Sequence, residues 1–330
     1  MLSIKRTYTI FILCAASVLI IAYAPFWGSK TFSWMDIFSK DVNIRDVQIF
    51  WQMRIPRALV AFLAGGAFAL SGMVFQAVFR NPLVCPFTLG VSAGASFGAT
   101  VYIWLGCSFV FWGISGISLF SFVGAVLAIA IVWSLSKIRY GNSTTKMLLA
   151  GVIVSFFFIS LIMLLQFLSG IYESFRISRW LMGSLSVFGY EPFFEVLPFV
   201  AVALAVIFYF SRELNLLTTG EEIAISRGVD TRKLVKILFV LLSLVIGRIV
   251  SICGPIAFIG LIAPHICRFL LGSDHRYLTP ATFLFGGSFL TLCDVFARTV
   301  IAPAEIPVGI VTAIIGGPFF LWLLNKKFLG

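Results

Sequence analysis

The residues with the most chemical potential in this chain are charges set among apolar neighbours. Arg54 and Arg57 of "RIPR" are three positions apart, so on a helix they project at similar angles, and Pro56 suits the first turn of that helix. Such a pair either snorkels to lipid phosphates or meets an acidic external partner. Arg298 lies near the end of a later apolar run. Arg248 and Asp294 sit inside apolar runs at comparable depth, where a lone charge is expensive. Two readings stay open for them: an ion pair with each other, or a charge on Arg248 offered to an anionic substrate. This is the chemistry of recognition and registration. Bond-breaking chemistry finds no footing. His265 and His275 lack metal-ligand spacing, and no nucleophile stands beside a base. There is no carboxylate dyad and no GxxxxGK[ST] loop to cradle a nucleotide. Glu305, between Pro303 and Pro307, reads as the cap of a helix N-terminus. The chain is expected to be no enzyme and to hold no metal or cofactor of its own.

The elements that position these charges follow from composition. With 60% hydrophobic residues among 330, only 11% charged, and a mean hydropathy of +1.07, no globular core could bury the apolar surface. Lipid must receive it. Apolar runs bounded by charge, Pro or Gly give ten spans, at 10–27, 58–79, 87–107, 110–135, 146–169, 192–211, 235–253, 255–271, 279–301 and 306–325. The eighth is short and carries Pro255 and Pro264, so it reads as broken or partly buried. Lys5, Arg6 and the run ending Ala22-Tyr23-Ala24 imitate a secretory signal peptide, yet nothing that follows resembles a soluble mature protein. With ten spans both termini share a side, and that side collects fifteen Lys and Arg against eight. The positive-inside rule then makes the termini cytoplasmic, and topology rather than nucleic acid accounts for the net charge of +11. The six cysteines form no CxxC pair and read as small apolar residues. Gly65 with Gly66, and Gly90, Gly94 and Gly98, are small-residue faces that serve either helix packing or a lined path.

One stretch breaks the apolar pattern. "GEEIAISRGVDTRKLVK", residues 220–236, carries seven charges in seventeen residues and falls on the cytoplasmic side, between spans six and seven. It is either a solvated loop or a surface on which a partner docks.

Several long motifs settle a resemblance. "RIPRALVAFLAGGAFALSGMVFQAVFRNPLVCPFTLGVSAGASFGA", "GEEIAISRGVD", "CGPIAFIGLIAPHICRFLLGSDHR", "DVFAR" and "AEIPVGIVTAIIGGPFFLWLL" resemble, in order and spacing, the permease family of type II ABC importers that take up iron chelates, haem and cobalamin. The resemblance covers the chain from about residue 50 onward. It implies an all-α polytopic fold of about ten transmembrane helices, a single permease domain over 1–330, in the bacterial plasma (inner) membrane. It further implies a second permease subunit, as a homodimer or close heterodimer, with the path along the dimer interface. Two separate ATPase subunits would hold ATP and Mg, and an external substrate-binding protein would cap the outside. By the same resemblance Arg54, Arg57 and Arg298 dock that binding protein. Gly220, Glu221, Glu222, Ile223, Ala224, Arg227 and Gly228 form the coupling helix for the ATPase, and Asn81, Leu83, Thr144 and Thr145 belong to gates. Arg248 departs from the family, whose members carry a small residue there.

The cargo expected first is a ferric siderophore, then haem, with cobalamin and oxyanions as alternatives. Two rivals lie outside this class. An ion-driven secondary transporter would carry inverted repeats and intramembrane carboxylates, and Asp294 is nearly alone. The other is an assembly subunit without transport activity.

Overall fold

An apolar run that crosses lipid must bond its backbone within itself, so helices are the available solution. The computed structural model describes residues 2–28, 30–33, 44–111, 114–136 and 143–328, and its regular structure is helical apart from one short hairpin. In chain order the helices are α1 (Leu2–Tyr23), α2 (Ile44–Ile49), α3 (Ile55–Val78), α4 (Val91–Trp104), α5 (Gly116–Ser136) and α6 (Ser143–Leu168). They continue with α7 (Ile171–Leu181), α8 (Glu191–Tyr209), α9 (Ser211–Thr219), α10 (Glu221–Ser226) and α11 (Thr231–Cys253). The last three are α12 (Ile259–Leu271), α13 (His275–Thr299) and α14 (Val308–Phe328). A π-helical turn, Phe50–Arg54, joins α2 to α3, and β1 (Val110–Phe111) pairs antiparallel with β2 (Ile114–Ser115). Each of the ten expected spans falls on a helix, while α2, α7 and α9 are additions. Lys40, Lys137 and Arg139 lie outside the described residues.

Helix starts follow local chemistry. Pro56 stands in the first turn of α3. The Asp230 side chain caps α11 by accepting from Lys233 N at 3.0 Å, and Asp274 caps α13 by accepting from Arg276 N at 3.1 Å.

α3 is the axis of the fold: nearly every residue from Ala58 to Val78 is buried, and α13, α12, α8 and α11 pack around it. Its small residues let backbones meet. A Cβ on Gly72 would stand 1.8 Å from the carbonyl oxygen of Gly260, and one on Gly94 would stand 2.5 Å from that of Gly124. The glycine faces therefore serve helix packing.

Seven helical segments among the described residues are long and apolar enough to cross a membrane. α4 and α12 are not. With 14 and 13 residues they rise only ~20 Å, against a hydrocarbon core of ~30 Å. The missing depth is covered by non-helical chain. Residues 79–90 turn at the end of α3 and climb back beside it, so that Phe87 lies 6.4 Å from Phe68, almost three turns above Val78. Residues 254–258 descend from the end of α11 until Gly260 meets Gly72. Gly254 at φ +68° makes the turn that starts the descent. Pro264, expected to interrupt this span, lies inside α12.

The two ends of the bundle are distinct. At one, Arg6 of α1 lies over the Tyr277 ring, 5.6 Å from its centroid, and Arg80 pairs with Glu221 at 3.6 Å. At the other, Arg57 bonds Glu305, and Gly189 N donates to Gln52 O at 2.7 Å. Replacing Gly72 with Ala should force α3 and α12 apart. We expect a loss of roughly 1–3 kcal/mol or more, read as a lower unfolding midpoint of the purified permease. An unchanged midpoint would contradict this packing.

Candidate functional site

Three features distinguish the bundle: a charge network at the Arg57 end, an exposed helix at the Glu221 end, and a recess between them.

At the Arg57 end, Asp294 is fully buried on α13, and α13 packs against the helix that carries Arg57. Arg57 bonds Asp294 at 2.8 Å and Glu305 at 2.8 Å. Arg298, one turn beyond Asp294 on the same helix, reaches it at 3.4 Å and donates to Ala24 O at 2.7 Å. Arg54 donates to Pro25 O at 3.1 Å and Lys30 O at 2.6 Å, and its guanidinium sits 4.3 Å from the Phe32 ring centroid. Arg54 and Arg298 are buried and Arg57 nearly so. Arg54, Arg57 and Arg298, expected to dock the external protein, therefore lie together at this end, held by backbone carbonyls and carboxylates of the same subunit. Glu305, expected as a helix cap, is spent on Arg57 instead.

The Arg248–Asp294 pair is not formed. Arg248 is on α11, which packs beside α8, and it bonds Glu195 of α8. Equal depth put Arg248 and Asp294 together in the sequence reading, but depth does not say which helices are neighbours. Arg248 thus has a carboxylate partner on α8 in place of Asp294.

At the Glu221 end, Gly220 (φ +147°) and Gly228 (φ +84°) bracket α10. Ala224 is fully buried against the bundle, whereas Glu222, Ile223, Ile225 and Arg227 point outward. Two large aliphatic side chains exposed beside charges make a surface suited to a protein partner. Behind this face, Glu221 pairs with Arg80 and lies 3.5 Å from Thr231 Oγ1. α9 is tied down as well: Asn215 Nδ2 donates to Asp274 Oδ1 at 2.8 Å, and His275 N donates to Asn215 Oδ1 at 2.9 Å. Burial works against the Asp274 carboxylate, yet the bonds from Asn215 and Arg276 N and the charges of Arg276 and Arg6 hold its pKa below the usual range.

Arg80 stands immediately before the expected gate. Asn81 Oδ1 accepts from Leu83 N at 2.9 Å, closing a tight turn, and Leu83 is exposed. Thr145 is exposed in the first turn of α6; the side chain of Thr144 lies outside the described residues. A Cβ on Gly151 of α6 would lie 2.7 Å from Leu89 Cα, so the start of α6 and the climbing segment 79–90 are neighbours.

The recess lies where the two interrupted helices leave room. Phe87, Pro255, Ala257, Leu181, Met182, Gly309, Ile310, Ala313 and Ile314 line a cavity of about 490 Å³. The lining holds no titratable side chain, so its contribution is apolar contact and shape. Of these residues only the break at Pro255 had a signal in the sequence, as a proline-interrupted apolar run; the run from residue 87 reads there as a full span. The share from α7 and α14 depends on tertiary packing.

Comparison with known proteins agrees with this architecture. A profile of the FecCD transport family matches residues 13–326. The hemin transport system permease protein HmuU of Yersinia pestis is 33% identical over 301 residues, covering 91% of this chain and 90% of the relative. The Fe(3+) dicitrate transport system permease protein FecC of Escherichia coli is 33% identical over 279 residues, 83% of this chain and 82% of the relative. A solved metal-chelate type ABC transporter in an inward-facing conformation superposes with a TM-score of 0.85 at 32% identity, covering 97% of this chain and 99% of that one.

Asp294→Asn should leave Arg57 and Arg298 buried with too little counter-charge. We expect a cost of about 3–5 kcal/mol, against about 1 kcal/mol or less for Glu305→Gln on the exposed arm of the network. Unfolding of both variants in detergent checks the difference, and equal effects would contradict the network.

Proposed function

This chain belongs to the FecCD transport family, and we propose that it forms half of the membrane path of an ATP-driven importer whose cargo is an iron chelate, a ferric siderophore first. It is the permease subunit of an ABC importer, a multi-pass membrane protein rather than an enzyme. The single observation that carries the finer reading is the apolar recess of about 490 Å³ at the meeting of two interrupted helices. Discontinuous helices near mid-depth are where transporters build their cargo paths. An open apolar recess on one face of the subunit calls for a second subunit to close it, so the path runs along a dimer interface, most simply that of a homodimer.

The Glu221 end faces the cytoplasm on this reading, as the excess of Lys and Arg there requires, and both termini are cytoplasmic. Two separate ATPase subunits bind ATP and Mg and seat against the outward face of α10: Glu222, Ile223, Ile225 and Arg227. Movement of α10 reaches the gate segment at Asn81 and Leu83 through the Glu221–Arg80 contact. Gly220 and Gly228 give α10 its hinges. An external binding protein delivers cargo at the Arg57 end of the bacterial inner membrane. Nucleotide acts by binding one conformation better than the other, as any such switch requires. Relatives named for hemin and for Fe(3+) dicitrate are equally identical to this chain, so identity does not choose between these cargoes.

The test is uptake into vesicles holding the permease, its ATPase and its binding protein. We expect accumulation of a ferric siderophore that requires both ATP and the binding protein. Uptake driven by an ion gradient without ATP would contradict the proposal. Glu222→Lys should lower ATP-dependent uptake by about tenfold, roughly 1.4 kcal/mol of coupling, while the permease still inserts. Normal uptake and normal ATPase assembly in that variant would remove α10 from the coupling role.

A further inference from the structure

Helix α7 is amphipathic, and its two faces have different destinations. Ile177 is fully buried against Ile103 and Ile162, with Trp180 and Leu181 packed beside them, and this fixes the rotation of the helix. The opposite face leaves Tyr172, Phe175, Arg176 and Arg179 exposed, followed by exposed Met182. At spacings of three and four these residues form one continuous stripe. Its last member, Met182, is a wall of the recess. Arg179 therefore stands ~4.5 Å along the axis from the recess wall and Arg176 ~9 Å, at 1.5 Å per residue.

Among the described residues, neither arginine forms an ion pair. Arg176 rests near the Tyr172 ring, 5.8 Å from its centroid. The neighbouring acid, Glu173, folds back over Gly170 at the helix start. Among the described residues, neighbouring cations at this end are engaged: Arg54, Arg57 and Arg298 inside the bundle, Lys30 on Asp46 at 2.6 Å, and Arg248 on Glu195. Two open guanidinium groups thus rim a recess whose own lining is apolar.

We infer that α7 is the charge-selecting rim of the path, where Arg176 and Arg179 favour anionic chelates over uncharged ones. The inference rests on the importer reading above and adds the charge class of the cargo. The recess takes up the apolar periphery of the chelate, while its carboxylates or phenolates meet the arginines, whose planar forks suit such oxygens. Anionic lipid headgroups share this oxygen chemistry. The stripe's continuation into the recess wall through Met182 favours cargo as the occupant.

The test is equilibrium binding of two probes to the permease–ATPase complex in nanodiscs of zwitterionic lipid: anionic ferric dicitrate and an uncharged ferric trihydroxamate. We expect Arg176→Glu with Arg179→Glu to weaken ferric dicitrate binding by about tenfold or more and trihydroxamate binding by less than about twofold. Lys at both positions should retain most of the affinity. Equal weakening of both probes would assign the arginines a structural role and overturn the inference, as would unchanged dicitrate affinity. A charge effect that emerges only when anionic lipid is added would assign them to headgroups and likewise overturn it. Trihydroxamate bound by wild type and variant alike, without dicitrate binding to either, would overturn the charge selection while leaving the importer reading intact.

Discussion

Every backbone N–H and C=O at membrane depth must find a partner inside the protein, and the two non-helical segments beside α4 and α12 live under that constraint. Side chains on neighbouring helices supply the partners. Gln76 of α3 donates to Gly260 O at 3.1 Å, Ser155 of α6 lies 3.3 Å from Phe87 O, and Thr88 bonds both N and O of Cys85. Backbone also meets backbone, with Ser184 N donating to Cys253 O at 2.8 Å. The interruptions survive because packing encloses them.

Charge obeys a parallel rule. Deeply placed arginines have named partners: Asp294 as acceptor for Arg57 and as ion-pair partner for Arg298, Glu195 for Arg248, and the amide oxygen of Gln76 for Arg268. These contacts bind pairs of helices, α3 to α13, α8 to α11 and α3 to α12, and so set the frame around the recess. Among the described residues, charges left outward lie toward the ends of the bundle, those of α10 and α7 among them. Interior charges hold the frame and terminal ones stay toward solvent, a division that follows from the cost of an unpaired charge in a medium of low dielectric.

Much of this was legible in the sequence. Ten apolar runs mark ten helices, and within the charged stretch 220–236 residues Glu221–Ser226 form a short helix bracketed by Gly220 and Gly228. The pairings were not legible. Arg248 and Asp294 share a depth, but only the packing of α11 on α8 and α13 on α3 says that their partners are Glu195 and Arg57. "RIPR" looks like an exposed basic motif because spacing gives relative direction, while the rotation of the helix about its axis depends on what packs against it. Ala224 was grouped with its exposed neighbours for the same reason. α7 left no mark as a span because it is short and amphipathic, and its weight in the recess comes from position.

The central claim is that the recess between the interrupted helices is part of a path whose access changes with nucleotide. Ala257 lies in its wall, on the segment that descends toward α12. With the native cysteines replaced, a single cysteine at position 257 can be labelled in the assembled importer by a membrane-impermeant maleimide applied from each side. The account expects labelling from the cytoplasmic side without nucleotide and a rate at least about tenfold lower when ATP is trapped. Equal rates in the two states, or no labelling from either side in any state, would contradict it.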